Sequence, residues 1–95
     1  MEKLQVFVTA GPGYTKIISI NNDTKISKIL ELSEKKMKIP QKFFWLTYCG
    51  KPFYYNDKDL SLIQFNQQYG LNLGNNSTIR CNIRAGNRIS INTGP

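Results

Sequence analysis

The chain has 95 residues, of which 40% are hydrophobic, with two cysteines, no histidine and a formal net charge of +7. That length fits one domain with a single modest core, and that hydrophobic content excludes disorder over most of the chain. No run approaches the ~18 apolar residues of a membrane span, and the lack of histidine excludes His-based triads, His general bases and the commonest zinc ligand.

Two cysteines are too few for a disulfide framework and fit a reducing compartment, the cytosol or the nucleus. The positive charge either favours acidic partners (acidic protein faces, nucleic acid, anionic lipid) or only keeps the protein soluble. Met1-Glu2-Lys3-Leu4-Gln5-Val6 alternates as a strand does and does not read as a signal peptide.

Leu4 to Thr9 alternates at period two, which predicts a strand with Leu4, Val6 and Val8 inward and Gln5, Phe7 and Thr9 outward. Ala10-Gly11-Pro12-Gly13 is a turn. Tyr14 to Ile20 is a second strand, with Ile18 and Ile20 inward, closing an antiparallel hairpin. Asn21 to Thr24 breaks the pattern, and Asp23 or Thr24 is the expected N-cap of a helix running to about Lys38. Ile26, Ile29, Leu30, Ser33 and Met37 fall on one helical face. Lysines crowd its C-terminal end, where they complement the helix dipole. A basic amphipathic helix can lie on a membrane, but its place between two sheet-forming regions favours a helix covering a sheet.

Pro40 pushes Ile39 out of the helical region and so sets the helix end. Phe43 to Tyr48 is aromatic, apolar and β-branched, as a strand is. In it, Phe44, Leu46 and Tyr48 share one face and Trp45 and Thr47 the other. Gly50 supplies the positive φ of a tight turn, and Phe53-Tyr54 forms the return strand. After a turn at Asn56 to Asp59, Leu60 to Tyr69 predicts a short helix. Asp59 is its expected cap, Leu60, Ile63 and Gln67 share one side, and Gly70 stops it. Leu73 to Ser77 is a turn. Thr78 to Ile83 is the last strand, with Ile79, Cys81 and Ile83 inward and Arg80, Asn82 and Arg84 outward.

The order β-β-α-β-β-α-β describes an α+β β-grasp fold: a mixed sheet packed on one main helix, with the last strand beside the first. Residues 1–84 are expected to form this domain and 85–95 a flexible tail.

The stretch Ile39-Pro40 … Cys49-Gly50-Lys51 resembles the middle of ubiquitin, where a helix is followed by Ile-Pro, a strand and Ala-Gly-Lys. Asp23-Thr24 before the helix, Asp59-Leu60-Ser61 and Tyr69-Gly70-Leu71 fall in matching order, so the resemblance covers about Leu4 to Arg84. It implies a ubiquitin-like fold with an enlarged second helix or loop before the last strand, since this chain has extra residues between Ser61 and Tyr69.

No enzyme emerges from the residues. Cys49 lacks an imidazole base and sits where ubiquitin has a turn alanine; Cys81 reads as core. Gly11-Pro12-Gly13 is not followed by the Gly-Lys-Ser/Thr of a phosphate loop. The carboxylates form no inward pair, and no cofactor or metal site is expected.

The resemblance implies two other modes of action. One is covalent attachment through a C-terminal Gly-Gly. This sequence contains no Gly-Gly and continues Arg84-Ala85-Gly86-Asn87, so conjugation would require processing to a single glycine, Gly86 or Gly94. The other is presentation of a surface. Ubiquitin's binding face centres on an isoleucine and a valine; the matching positions here are Thr47 and Asn82. Around them the outward phase places Trp45, Lys51, Arg80 and Arg84, and these six residues are the expected partner-binding surface. Tryptophan beside arginine is a hot-spot composition, and it also suits base stacking with phosphate contact. The reading is a monomeric, non-catalytic ubiquitin-like protein that binds a protein partner through its sheet face, an acidic one being favoured by the net charge. A modifier precursor and a basic β-grasp domain binding nucleic acid, without a known RNA motif, are the alternatives.

Overall fold

The computed structural model describes residues 2–84. Five strands form one mixed sheet in the order β2-β1-β5-β3-β4. β1 (Leu4–Thr9) and β2 (Thr15–Ile20) are an antiparallel hairpin in which Val6 faces Ile18 and Phe7 faces Ile17. α1 (Ile26–Met37) crosses over. β3 (Phe44–Tyr48) turns into β4 (Lys51–Pro52), and α2 (Leu62–Tyr69) precedes β5 (Thr78–Ile83). β5 runs parallel to β1 and antiparallel to β3. This is the β-grasp arrangement expected from the element order.

The core lies between one sheet face and the two helices. Leu4, Val6, Val8, Ile18, Ile20, Phe44, Leu46, Ile79 and Cys81 from the sheet meet Ile26, Ile29, Met37, Leu62 and Phe65 from the helices. Leu30 sits at its margin. Ser33 is buried on the apolar face of α1, and its hydroxyl has no hydrogen-bond partner among the described residues.

The helix starts differ from expectation. Neither Asp23 nor Thr24 caps α1; the N-cap is Lys25, with no side-chain bond, and Thr24 Oγ1 accepts from Asn21 N–H instead. The first free amides of the helix are satisfied from elsewhere: Ile26 and Ser27 N–H donate to the carbonyls of Leu60 and Lys58. In return, Leu62 and Ile63 N–H at the start of α2 donate to the carbonyls of Thr24 and Asn22. The two N-termini thus satisfy each other's open donors through their flanking backbone, a long-range arrangement with no local signature.

The cap of α2 is Ser61, not Asp59. Ser61 and Gln64 form a capping box, each side chain accepting from the other's backbone N–H. Starting two residues later than expected turns the helix, so Leu62 and Phe65 are inward while Ile63 and Gln67 are exposed and Leu60 is only half-buried. Phe65 packs between Phe53 and Tyr69, with ring centroids 5.0 and 5.2 Å away. Gly70 ends α2 at φ 65°, the left-handed cap that glycine favours.

Two further expectations are corrected at the strands. β4 is Lys51–Pro52 rather than Phe53-Tyr54, because Cys49 and Gly50 make a two-residue turn with φ of 52° and 80°. Such a turn places Lys51 directly opposite Tyr48, so pairing begins at once. Phe53 leaves the ladder to enter the core, its N–H still donating to Leu46. Ile83, expected inward, is 39% exposed: it is the last residue of β5, paired with Phe44 at the end of the ladder. Gly86, Gly94 and the tail of 85–95 lie outside the described residues. Among the described residues no helix is long and apolar enough to cross a membrane.

Candidate functional site

The candidate surface is the sheet face turned away from the helices. Its centre is the β3–β5 pair, in which Trp45 lies opposite Asn82 and Thr47 opposite Arg80. Paired strands lie ~4.8 Å apart, so these four side chains are immediate neighbours. Asn82 ties them together: its Nδ2 donates to Trp45 O and to Thr47 Oγ1, both at 3.3 Å. A polar Thr–Asn contact therefore stands at the middle of the face.

Arg84 follows β5 on the same phase. Its N–H donates to the Phe43 carbonyl at 2.8 Å, which holds the chain beside β3 after the ladder ends. The guanidinium carbon comes 5.3 Å from the Trp45 ring centroid, within cation–π range. Trp45 remains 37% exposed.

Lys51 does not join this group. Opposite Tyr48, it sits on the other phase of the sheet from Thr47 and Trp45. Its Nζ lies 3.9 Å from the Tyr69 ring centroid and 4.2 Å from that of Tyr54. So Trp45, Thr47, Arg80, Asn82 and Arg84 are brought together, and Lys51 is placed at the rim.

Sequence reasoning missed the other half of the surface. A cleft of about 380 Å³ opens beside the Trp45–Arg84 stack, lined by Trp45, Pro52, Phe53, Tyr54, Tyr55 and Arg84. The reading of Phe53-Tyr54 as strand hid it. In the structure Pro52 faces Thr47, Phe53 dives inward, and a short 3₁₀ turn at Tyr55–Asp57 leaves Tyr54 and Tyr55 out in solvent. The available signal was the Tyr54-Tyr55 doublet itself, since two adjacent tyrosines cannot both be buried by one strand. The turn is anchored by Asp57, which is buried and accepts the Tyr69 hydroxyl at 2.8 and 2.9 Å. That bond and the nearby carboxylate charge, with some burial, raise the Tyr69 phenol above its usual value.

None of the five strands contains an aspartate or glutamate. The outward face therefore combines arginine, threonine, asparagine and aromatic groups with no strand-borne negative charge. Among the described residues no group of three or more His, Cys, Asp or Glu could hold a metal.

No protein-family model and no curated protein matches the chain. Among solved structures it is similar to the NMR structure of a ubiquitin-like domain from an Arabidopsis thaliana protein. The TM-score is 0.70 at 20% identity, over 95% of this chain and 86% of that one. The fold is ubiquitin-like.

Proposed function

We propose that this ubiquitin-like chain is a non-catalytic protein-binding module that docks an acidic partner through its outer sheet face and acts without being conjugated. The observation that carries the reading is the Trp45–Arg84 stack on a face whose strands carry no carboxylate. A rigid, partly exposed aromatic with an adjacent arginine has the composition of a binding hot spot. The face's middle is polar here, where ubiquitin's is apolar. Anchoring thus shifts from a central aliphatic patch to the Trp45 end, with Thr47, Arg80 and Asn82 as polar surround.

Pull-down with wild type and with Trp45→Ala, repeated across a salt series, tests this. Protein docking anchored by Trp45 loses capture with Trp45→Ala and weakens only modestly with salt. Steep salt dependence with co-purifying nucleic acid would favour the nucleic-acid alternative. A thioester adduct formed with a ubiquitin-type activating enzyme and ATP would favour conjugation.

A further inference from the structure

We propose that the cleft beside the Trp45–Arg84 stack is a groove for an acidic, proline-containing peptide segment in the polyproline II conformation. This rests on the reading of the outer sheet face as a protein-docking surface and names the ligand at one end of it.

The lining comes first. One tryptophan, two tyrosines and a proline converge on an open cleft whose volume suits a few side chains. Aromatic-lined grooves dock proline-rich segments because the prolyl ring is a rigid, flat apolar body and polyproline II is already ordered before binding. Tyr55 is 75% exposed and Tyr54 54%, so their rings stand clear of the core for such contacts.

Strand addition is the competing mode for an extended peptide, and this edge is built against it. β4 has only two residues, and one of them, Pro52, has no N–H to offer an incoming strand. A polyproline II segment needs no ladder, since its backbone stays solvated.

Charge sets the sign of the flanks. Three of the four rings on the cleft already have a cation over them: Arg84 over Trp45 at 5.3 Å, Lys51 over Tyr54 at 4.2 Å and Lys58 over Tyr55 at 4.8 Å, with only the buried Phe53 left out. A cationic ligand would compete with these and be repelled by them. A guanidinium stacked through its face keeps its N–H groups free in the plane, where they match a carboxylate. Asp59, 3.3 Å from Lys58 Nζ, offsets part of this charge, so Arg84, which lines the cleft, is the principal partner for acidic flanks, with Lys51 contributing from the rim. A nucleic-acid strand would want a basic track that runs on past the aromatics, and the row of Arg84, Lys51 and Lys58 is short and interrupted by Asp59. Here Lys28, Lys35 and Lys36 lie on α1, which covers the opposite sheet face.

The chain has a single tryptophan, so the Trp45 indole N–H reports the cleft directly by NMR. The probes are a capped decapeptide with a Pro-x-x-Pro core flanked by glutamates, the same peptide with alanine for proline, the same with lysine for glutamate, and a ten-nucleotide oligouridine. The glutamate–proline peptide is expected to shift the Trp45 indole and the Tyr54, Tyr55 and Arg84 amides. The lysine version should bind at least ~10-fold more weakly, because like charges then meet. Tyr55→Ala, a surface change that leaves the spectrum of the fold in place, should weaken binding at least ~5-fold, and Lys36→Ala, exposed on α1 away from the docking face, should change it by less than about twofold. No indole shift at millimolar peptide, equal binding of the alanine peptide, or preference for oligouridine would each overturn the proposal. If that happens while a protein partner still protects Trp45, Arg80 and Asn82, only the ligand class is wrong. If no partner touches the face, the docking reading fails with it.

Discussion

The guanidinium of Arg84, just past the end of β5, lies over the ring of Trp45 on β3, 5.3 Å from its centroid, although the two residues are far apart in sequence. The antiparallel pairing of β3 with β5, extended by the Arg84 N–H to Phe43 O bond, makes the stack a property of the fold. At an exposed site such a contact contributes ~0.5–1 kcal/mol. Arg84→Ala is therefore expected to shift the emission of the single tryptophan while lowering the unfolding midpoint only slightly. An unchanged emission spectrum would show that the stack does not form in solution.

Leu46 is fully buried between the sheet and the helices. Leu46→Ala should cost ~2–5 kcal/mol, measured by urea denaturation with the slope checked for two-state behaviour. A surface-like loss of a few tenths would contradict the observed register.

Ser33 presents to the core a hydroxyl with no partner among the described residues. Ser33→Ala removes it and places the best helix former there, so a gain of about 1 kcal/mol is expected. A loss in the same denaturation experiment would show that the hydroxyl has a partner in solution.

The two thiols differ in kind. Cys49 is exposed in the β3–β4 turn, whereas Cys81 is buried under the helices, and burial pushes its thiol up to about 11. Since ionisation is disfavoured in the folded state, this residue's contribution to stability is complete below its ordinary pKa. It is lost as pH rises through about 11. At pH 8 a disulfide reagent should titrate one thiol per native chain and two in denaturant. Two fast native thiols would contradict the packing of β5.

Much of this fold was legible because its signals are local. The alternation of Leu4, Val6 and Val8, the helical spacing of Ile26, Ile29, Ser33 and Met37, and the Gly50 turn all reappear in the burial of those residues. What escaped depended on long-range partners. The cap of α1 is supplied by Leu60 and Lys58 backbone, and the exposure of Ile83 follows from its place at the end of the sheet. The phase of α2 turned on choosing Ser61 over Asp59, two chemically plausible caps, and the Gln64 of the capping box was the deciding residue. At the site, strand phase alone brought Trp45, Thr47, Arg80 and Asn82 onto one face. The same phase misplaced Lys51, because the two-residue turn fixes it opposite Tyr48. The cleft depends on a 3₁₀ turn that no periodicity announces.

The central claim is that the outer sheet face, anchored at Trp45, is where a protein partner docks. Its most direct test is chemical-shift mapping of the isotope-labelled chain against the partner recovered by pull-down, with affinities for wild type and Trp45→Ala. The account predicts shifts at Trp45, Thr47, Arg80, Asn82 and Arg84, a quiet α1, and a loss of about thirtyfold or more with Trp45→Ala, the effect of removing a hot-spot aromatic. Shifts confined to α1 or to α2, with the Trp45 indole unmoved, would contradict it.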